Sequence, residues 1–155
     1  MTKARILAEA RTVFARRGYA EASLREIAEA VGIKTPSLYA HFPRKEALYE
    51  AVYAEVVAEH TAFVDELVRT SADLPPLPRL RHLLSGIGAF YRDRPEQHEF
   101  SMRAAVDENG PSGQSLRQIF LDSESTLAEA VRQSYDDGVT TGAFAGGDPE
   151  GFTAL

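Results

Sequence analysis

The stretch from Ser23 to Leu48, SLREIAEAVGIKTPSLYAHFPRKEAL, decides how the rest of the chain is read. Ser23 is placed to cap a helix, its hydroxyl accepting from a backbone N–H, and Glu26 three positions on completes a capping box. Leu24, Ile27, Ala28 and Val31 recur at helical spacing and predict one buried stripe. Gly32 follows that stripe, where a sharp exit favours a residue at ease with positive φ. Thr35 is expected to cap a second helix, with Pro36 at its first position, where no N–H is required. Leu38 and Phe42 then point inward, leaving Lys34, Thr35, Ser37, Tyr39, Ala40 and His41 outside. Two short helices joined through a glycine turn, the second with a polar and basic outer face, describe a helix-turn-helix.

Two short helices cannot bury a core alone. The segment before them supplies a third: about Lys3 to Arg17, with Ile6, Ala10, Val13 and Phe14 as its apolar stripe and Gly18 as its stop. After the break at Pro43-Arg44, a long helix is predicted from about Arg44 to Thr70. It buries Leu48, Val52, Val56, Phe63 and Leu67, and at 1.5 Å per residue it spans roughly 40 Å. Asp73 to Pro78, with three prolines in four positions, reads as a linker. Further helices are expected over about Arg79–Arg92 (Leu80, Leu83, Leu84, Ile87, Phe90 apolar), Pro95–Asp107 (Phe100, Met102, Ala104, Ala105, Val106) and Gln114–Asp137. The last carries Leu116, Ile119, Phe120, Leu127, Val131 and Tyr135, with Gly138 as its C-terminal stop. Glu108–Gly113 is a loop, and no strand pattern stands out. The fold class is therefore all-α: an N-terminal three-helix domain over residues 1–47, joined by a long helix to a helical body over 48–155.

Charge divides at the same place. The whole chain of 155 residues carries −6, but residues 1–45 hold nine Lys/Arg against four Asp/Glu, a local +5, leaving −11 for the remainder. A basic head can meet phosphate, and an acidic body is repelled by it. With no cysteine, disulfides and thiolate chemistry are excluded, and a reducing cytoplasm is compatible. No apolar run approaches the roughly 20 residues that span a bilayer, and the first 18 residues lack the uninterrupted apolar core of a signal peptide.

The common enzyme motifs do not occur. Leu38, Val57, Arg79 and Pro95 stand three residues before His41, His60, His82 and His98, so the Glu-x-x-His pairs of a di-iron bundle are absent. His-Glu-x-x-His and Gly-x-Ser-x-Gly are absent as well. Gly86-Ile87-Gly88 lies inside a helical pattern with no strand before it, unlike a dinucleotide loop. No catalytic residue, metal site or cofactor is expected.

The pattern Ala28-x-x-x-Gly32-Ile33-x-x-x-x-Leu38-Tyr39-x-His41-Phe42-x-x-Lys45-x-x-Leu48 closely resembles the DNA-binding signature of the TetR family of transcriptional regulators. Ala10, Phe14, Gly18 and Tyr19 in the opening helix also fit. The match covers roughly the first 50 residues at fixed spacing; beyond it only the all-helical architecture agrees. The resemblance implies a ligand-responsive regulator, a repressor by family habit, that binds palindromic operator DNA as a dimer. It places Arg25, Lys34, Thr35, Ser37, Tyr39, His41 and Lys45 at positions like the family's DNA contacts. Physically, Lys34, Thr35, Ser37 and Ala40 suit base edges in a major groove, with Ala40 against a thymine methyl. Tyr39 and His41 offer polar tips to phosphate oxygens, and Lys45 opens the long helix where its ammonium and the helix N-terminus would share a phosphate. The plainer readings are packing for Tyr39, a helix cap for His41, and for Arg25 a solvated charge paired with Glu21 or Glu29.

In the body, Phe90, Tyr91, His98, Phe100, Met102, Phe120 and Tyr135 are candidates to line a pocket for a small-molecule effector, although each aromatic taken singly is more often core. Asp148-Pro149-Glu150 has the signs of a further helix start, and the chain reaches Leu155 before that helix makes two turns. A longer natural protein is expected, with homodimer formation dependent on additional C-terminal helices. The alternative function is a helical small-molecule-binding or interaction module whose DNA-binding head is inactive.

Overall fold

A computed structural model describes residues 3–106, 111 and 114–145 of the chain. The order is α1 (Lys3–Glu21), α2 (Leu24–Val31), α3 (Thr35–His41), α4 (Lys45–Ser71), α5 (Pro76–Asp93), α6 (Pro95–Val106) and α7 (Gln114–Thr140), with no strand among the described residues. The expected helix start at Asp148 and most of the expected loop from Glu108 to Gly113 lie outside the described residues, as do the side chains of Ala105, Val106 and Leu116.

These helices form two compact units. The first takes the described residues up to Ala58 together with Arg94–Arg117, and the second takes Glu59–Asp93 together with the described residues from Gln118 onward. The 47/48 division drawn from charge and motif thus falls inside the first unit. The physical reason is α6, which packs on α1 and so belongs with the N-terminal helices. Thr12 Oγ1 donates to Glu96 at 2.8 Å, and the Phe100 ring sits 5.3 Å from Tyr49.

Within the first unit, Ile6, Ala10, Val13 and Phe14 of α1, Ile27, Ala28 and Val31 of α2, Leu38 of α3, and Leu48 and Val52 of α4 are all buried, and α2 packs on both α1 and α3. Aromatic rings extend this buried set. Phe14 stands edge-on to Tyr49 at 5.0 Å, and Tyr49 continues to Phe100. Burying rings of this size accounts for much of a small unit's stability, at about 1.5–3 kcal/mol per large side chain.

The second unit centres on Val64 and Leu67 of α4, Leu80 and Leu83 of α5, and Leu127 and Val131 of α7. Arg79 Nη1 donates to Asp137 Oδ2 at 2.7 Å, while Nε and Nη2 donate to the carbonyls of Leu74 and Ala72, each at 3.2 Å. Asp137 also accepts from Gln133 at 2.9 Å, and this bond, with Arg79 second, holds its carboxyl below the usual carboxylate range.

Three expectations about helix ends and faces change. The linker is shorter than the prolines suggest, because α5 begins at Pro76 and takes in Pro78. A proline in the first turn sacrifices no intrahelical bond, since the first N–H groups of a helix have no partner within it. Gly138 is not the stop of α7: the helix runs to Thr140, and the left-handed residue is Gly142 at φ 75°. Gly138 is small for a packing reason, since a Cβ there would collide with the Phe144 ring. Leu84 and Ile119, placed on apolar stripes by periodicity, are exposed at 53% and 46%.

Candidate nucleic-acid interface

α2 forms because its ends are closed by short-range chemistry. Ser23 Oγ accepts from the Glu26 N–H at 3.1 Å. The Glu26 carboxylate faces Arg17, at 3.3 Å, so the described half of the expected capping box is the serine half. At the other end Gly32 adopts φ 78°, ψ 33°, its N–H reaches the Glu29 carbonyl at 3.0 Å, and the Ile33 N–H reaches Ala28 at 2.9 Å. A side chain at this left-handed position is strained, which is why the turn needs glycine.

The cap of α3 lies one residue earlier than anticipated. Lys34 is the N-cap, extended at ψ 142°, with its carbonyl taking the N–H groups of Ser37 and Leu38 at 2.9 and 3.3 Å. Thr35 is the first helical residue, so its hydroxyl is not the cap. Leu38 is 0% exposed and seats the helix, and Phe42 is buried just past its end. Lys34, Ser37, Tyr39, Ala40 and His41 are exposed, Tyr39 at 50%, and Thr35 is half-buried. The arrangement presents donors and acceptors of several kinds on the exposed surface of a helix in which only Leu38 is fully buried. Arg25, on α2, is exposed and donates from Nε to Glu29 at 2.9 Å, four residues on.

Lys45 is placed differently from the other candidates. Its ammonium donates to the carbonyl oxygens of Tyr19 at 2.7 Å, Ala22 at 3.0 Å and Ala20 at 3.2 Å, and lies 4.4 Å from the centroid of the Tyr19 ring. Burial, and next a hydrogen bond with Glu46, push the Tyr19 phenol up to about 12.

Of the seven side chains expected to line an effector pocket, His98, Phe100 and Met102 belong to the first unit and Phe90, Tyr91, Phe120 and Tyr135 to the second. Phe100 is 1% exposed in the core of the first unit, and His98 and Met102 on the same helix are exposed. Tyr135 stacks on Phe144 at 6.1 Å. Phe90, Tyr91 and Phe120 do meet, around a residue that the sequence does not mark as a site: His60, 1% exposed, with ring centroids at 5.7, 5.8 and 5.1 Å. Glu124 Oε1 lies 3.0 Å from His60 Nε2 and accepts from the Tyr91 hydroxyl at 3.4 Å. Burial foremost, and then the Glu124 charge, raise the Tyr91 phenol well above its ordinary value. Glu124 and His60 are too far apart in sequence for any spacing rule to link them. A polar residue on an apolar helical stripe is the only signal at His60.

A three-helix head with a glycine turn and an outward polar second helix defines a helix-turn-helix protein. Residues 6–52, the part that holds this helix pair, match the family described as bacterial regulatory proteins, tetR family. It is similar to YerO of Bacillus subtilis (strain 168), an uncharacterised HTH-type transcriptional regulator, with 26% identity over 141 residues, 88% of this chain and 48% of that protein. The chain thus spans about half the length of this curated relative. Its fold is shared by the TetR family transcriptional regulator PfmR from Thermus thermophilus, with TM-score 0.77 and 20% identity over 99% of this chain and 79% of that one. It is shared too by AibR, solved with isovaleryl coenzyme A and operator DNA, at TM-score 0.71 and 20% identity over 96% and 77%.

Proposed function

We propose that this chain is a cytoplasmic, ligand-responsive transcriptional regulator, a repressor, that reads a palindromic operator as a dimer. The observation that carries the reading is the face of α3: Lys34, Ser37, Tyr39, Ala40 and His41 stand exposed while Leu38 is wholly buried. In this reading Lys34, Thr35, Ser37 and Ala40 meet base edges in the major groove. Tyr39, His41 and Arg25 contact phosphates and fix the register. The head of each subunit must fall on successive major grooves, roughly 34–36 Å apart.

The helical body supplies the switch. A small molecule, of which the isovaleryl coenzyme A carried by AibR is one example, binds one arrangement of the body better than another. Its differential affinity sets the size of the response. Movement of α4 would then spoil the spacing of the two heads.

The test is selection of bound duplexes from a random pool, then titration of the winning duplex over a salt series. Affinity should fall steeply with salt, because each phosphate contact releases counterions. A chain that shows no salt-sensitive binding to any selected duplex is not a DNA-binding regulator. The inactive-head alternative would then be left, with ligand binding to the body as its measurement.

A further inference from the structure

We propose that Lys45 is a positioning residue: its ammonium clasps the end of α1 to the start of α4 and holds the helix pair between them in its reading geometry, in place of contacting a phosphate. The inference rests on the DNA-binding reading above for its functional half.

An ammonium has three N–H donors and no acceptor. At Lys45 three carbonyls, those of Tyr19, Ala20 and Ala22, lie within hydrogen-bond distance, and the Tyr19 ring lies against the same group. The donor set is therefore saturated by the protein. A phosphate oxygen would have to displace a carbonyl rather than fill an open position.

The charge is also in the better place. Lys45 is the first residue of α4, and a cation at a helix N-terminus opposes the helix dipole. The side chain instead carries its charge away from that terminus, to the carbonyls of Tyr19, Ala20 and Ala22. Gly18, at φ 75° and ψ 172°, breaks α1, and the three carbonyls that meet the ammonium all come from the residues after that break.

The position of the clasp gives it a consequence for DNA. Ala22 immediately precedes the Ser23 cap of α2, and Lys45 follows α3. The two ends of the bond are 23 positions apart, so entry to and exit from the whole helix pair are tied at one ammonium. Loss of the tie leaves Leu38 and the other core residues in place but frees the base on which α3 is aimed.

Lys45→Met keeps the stem and removes the donors. The expected results are a melting midpoint lower by about 3–6 °C, a duplex Kd about tenfold weaker at a temperature far below that midpoint, and a slope of log Kd against log salt equal to that of the unmodified chain. A slope reduced by about 1 with an unchanged midpoint is what removal of a phosphate-binding group produces, and it overturns the proposal. So does a lower midpoint with unchanged Kd, which makes the residue structural only, and so do unchanged values of both. If Lys45→Met does not fold, Lys45→Gln, which keeps two N–H donors, is read by the same three quantities. If the unmodified chain binds no duplex, the DNA-binding reading fails by itself. The clasp is then judged by the midpoint and by amide exchange over Tyr19–Ala22, which speeds up in the variant if the clasp is real.

Discussion

The polar side chains of α3 and those around His60 are arranged in opposite ways. On α3 and its N-cap they stand outward, around a single buried leucine. Around His60 they are drawn inward from three helices: His60 from α4, Tyr91 from α5 and Glu124 from α7 meet among the rings of Phe90 and Phe120. The outward set leaves its hydrogen-bonding capacity to an external partner. The second set turns its polar groups toward one another, and its buried member, His60, depends on the half-exposed Glu124 because an unsatisfied buried polar atom costs about 1–3 kcal/mol.

The contrast is broken most directly at the buried members. Leu38→Ala removes the seat of α3 and should cost about 2–5 kcal/mol. His60→Ala opens a void among three rings and removes a carboxylate partner, at about 2–4 kcal/mol. Urea unfolding measures both, and amide exchange should localise the first loss to the N-terminal unit and the second to α5 and α7. If His60→Ala costs less than about 1 kcal/mol, the inward cluster is incidental packing and the comparison fails.

The outward set is sharpened by substitutions that the fold should ignore. Lys34→Ala and Ser37→Ala lie on exposed positions, so stability should stay within about 0.5 kcal/mol of the unmodified chain. Discrimination between duplexes should nevertheless fall by about 1–3 kcal/mol for each base that is no longer read. Competition binding with single-base variants of a selected duplex checks this. Equal weakening on every duplex would move these residues from base reading to phosphate contact.

The smallest expected effect is a titration. Burial and the Glu124 charge together raise the Tyr91 phenol above its ordinary 10.0, so the folded chain favours the neutral phenol. The stability this contributes is complete below about pH 10 and is lost as pH rises through the alkaline range. Glu124→Gln removes the charge, so the tyrosinate absorbance of Tyr91 should appear at lower pH, with the larger shift from burial retained. An unchanged or higher midpoint would mean that Glu124 does not govern Tyr91.

The same contrast explains what is legible in the sequence. The helix pair is legible because its determinants are local. A serine cap, a glycine of positive φ and an apolar stripe all act within a few residues. The exposure of Tyr39 and His41 follows from the period of Leu38 and Phe42. Periodicity misplaces Leu84 and Ile119, since it marks apolar positions without saying whether a neighbouring helix arrives to cover them. Periodicity is equally silent on the surroundings of the pocket candidates: Phe100 is buried in the first unit, and His98 and Met102 on the same helix are exposed. Gly138 resembles a terminator because glycine often is one; only its contact with Phe144 shows the packing demand.

The sequence by itself determined an all-α chain with a basic helix-turn-helix head and the identity of its outward face. Those features depend on hydrogen bonds and side-chain periods that span less than two helical turns. Only the tertiary structure decided that α6 joins the head, that His60 and Glu124 meet, and that the ammonium of Lys45 is turned to α1. Each of these pairs residues 23 or more positions apart, and such contacts are chosen by which helices pack together, a choice that no local spacing records.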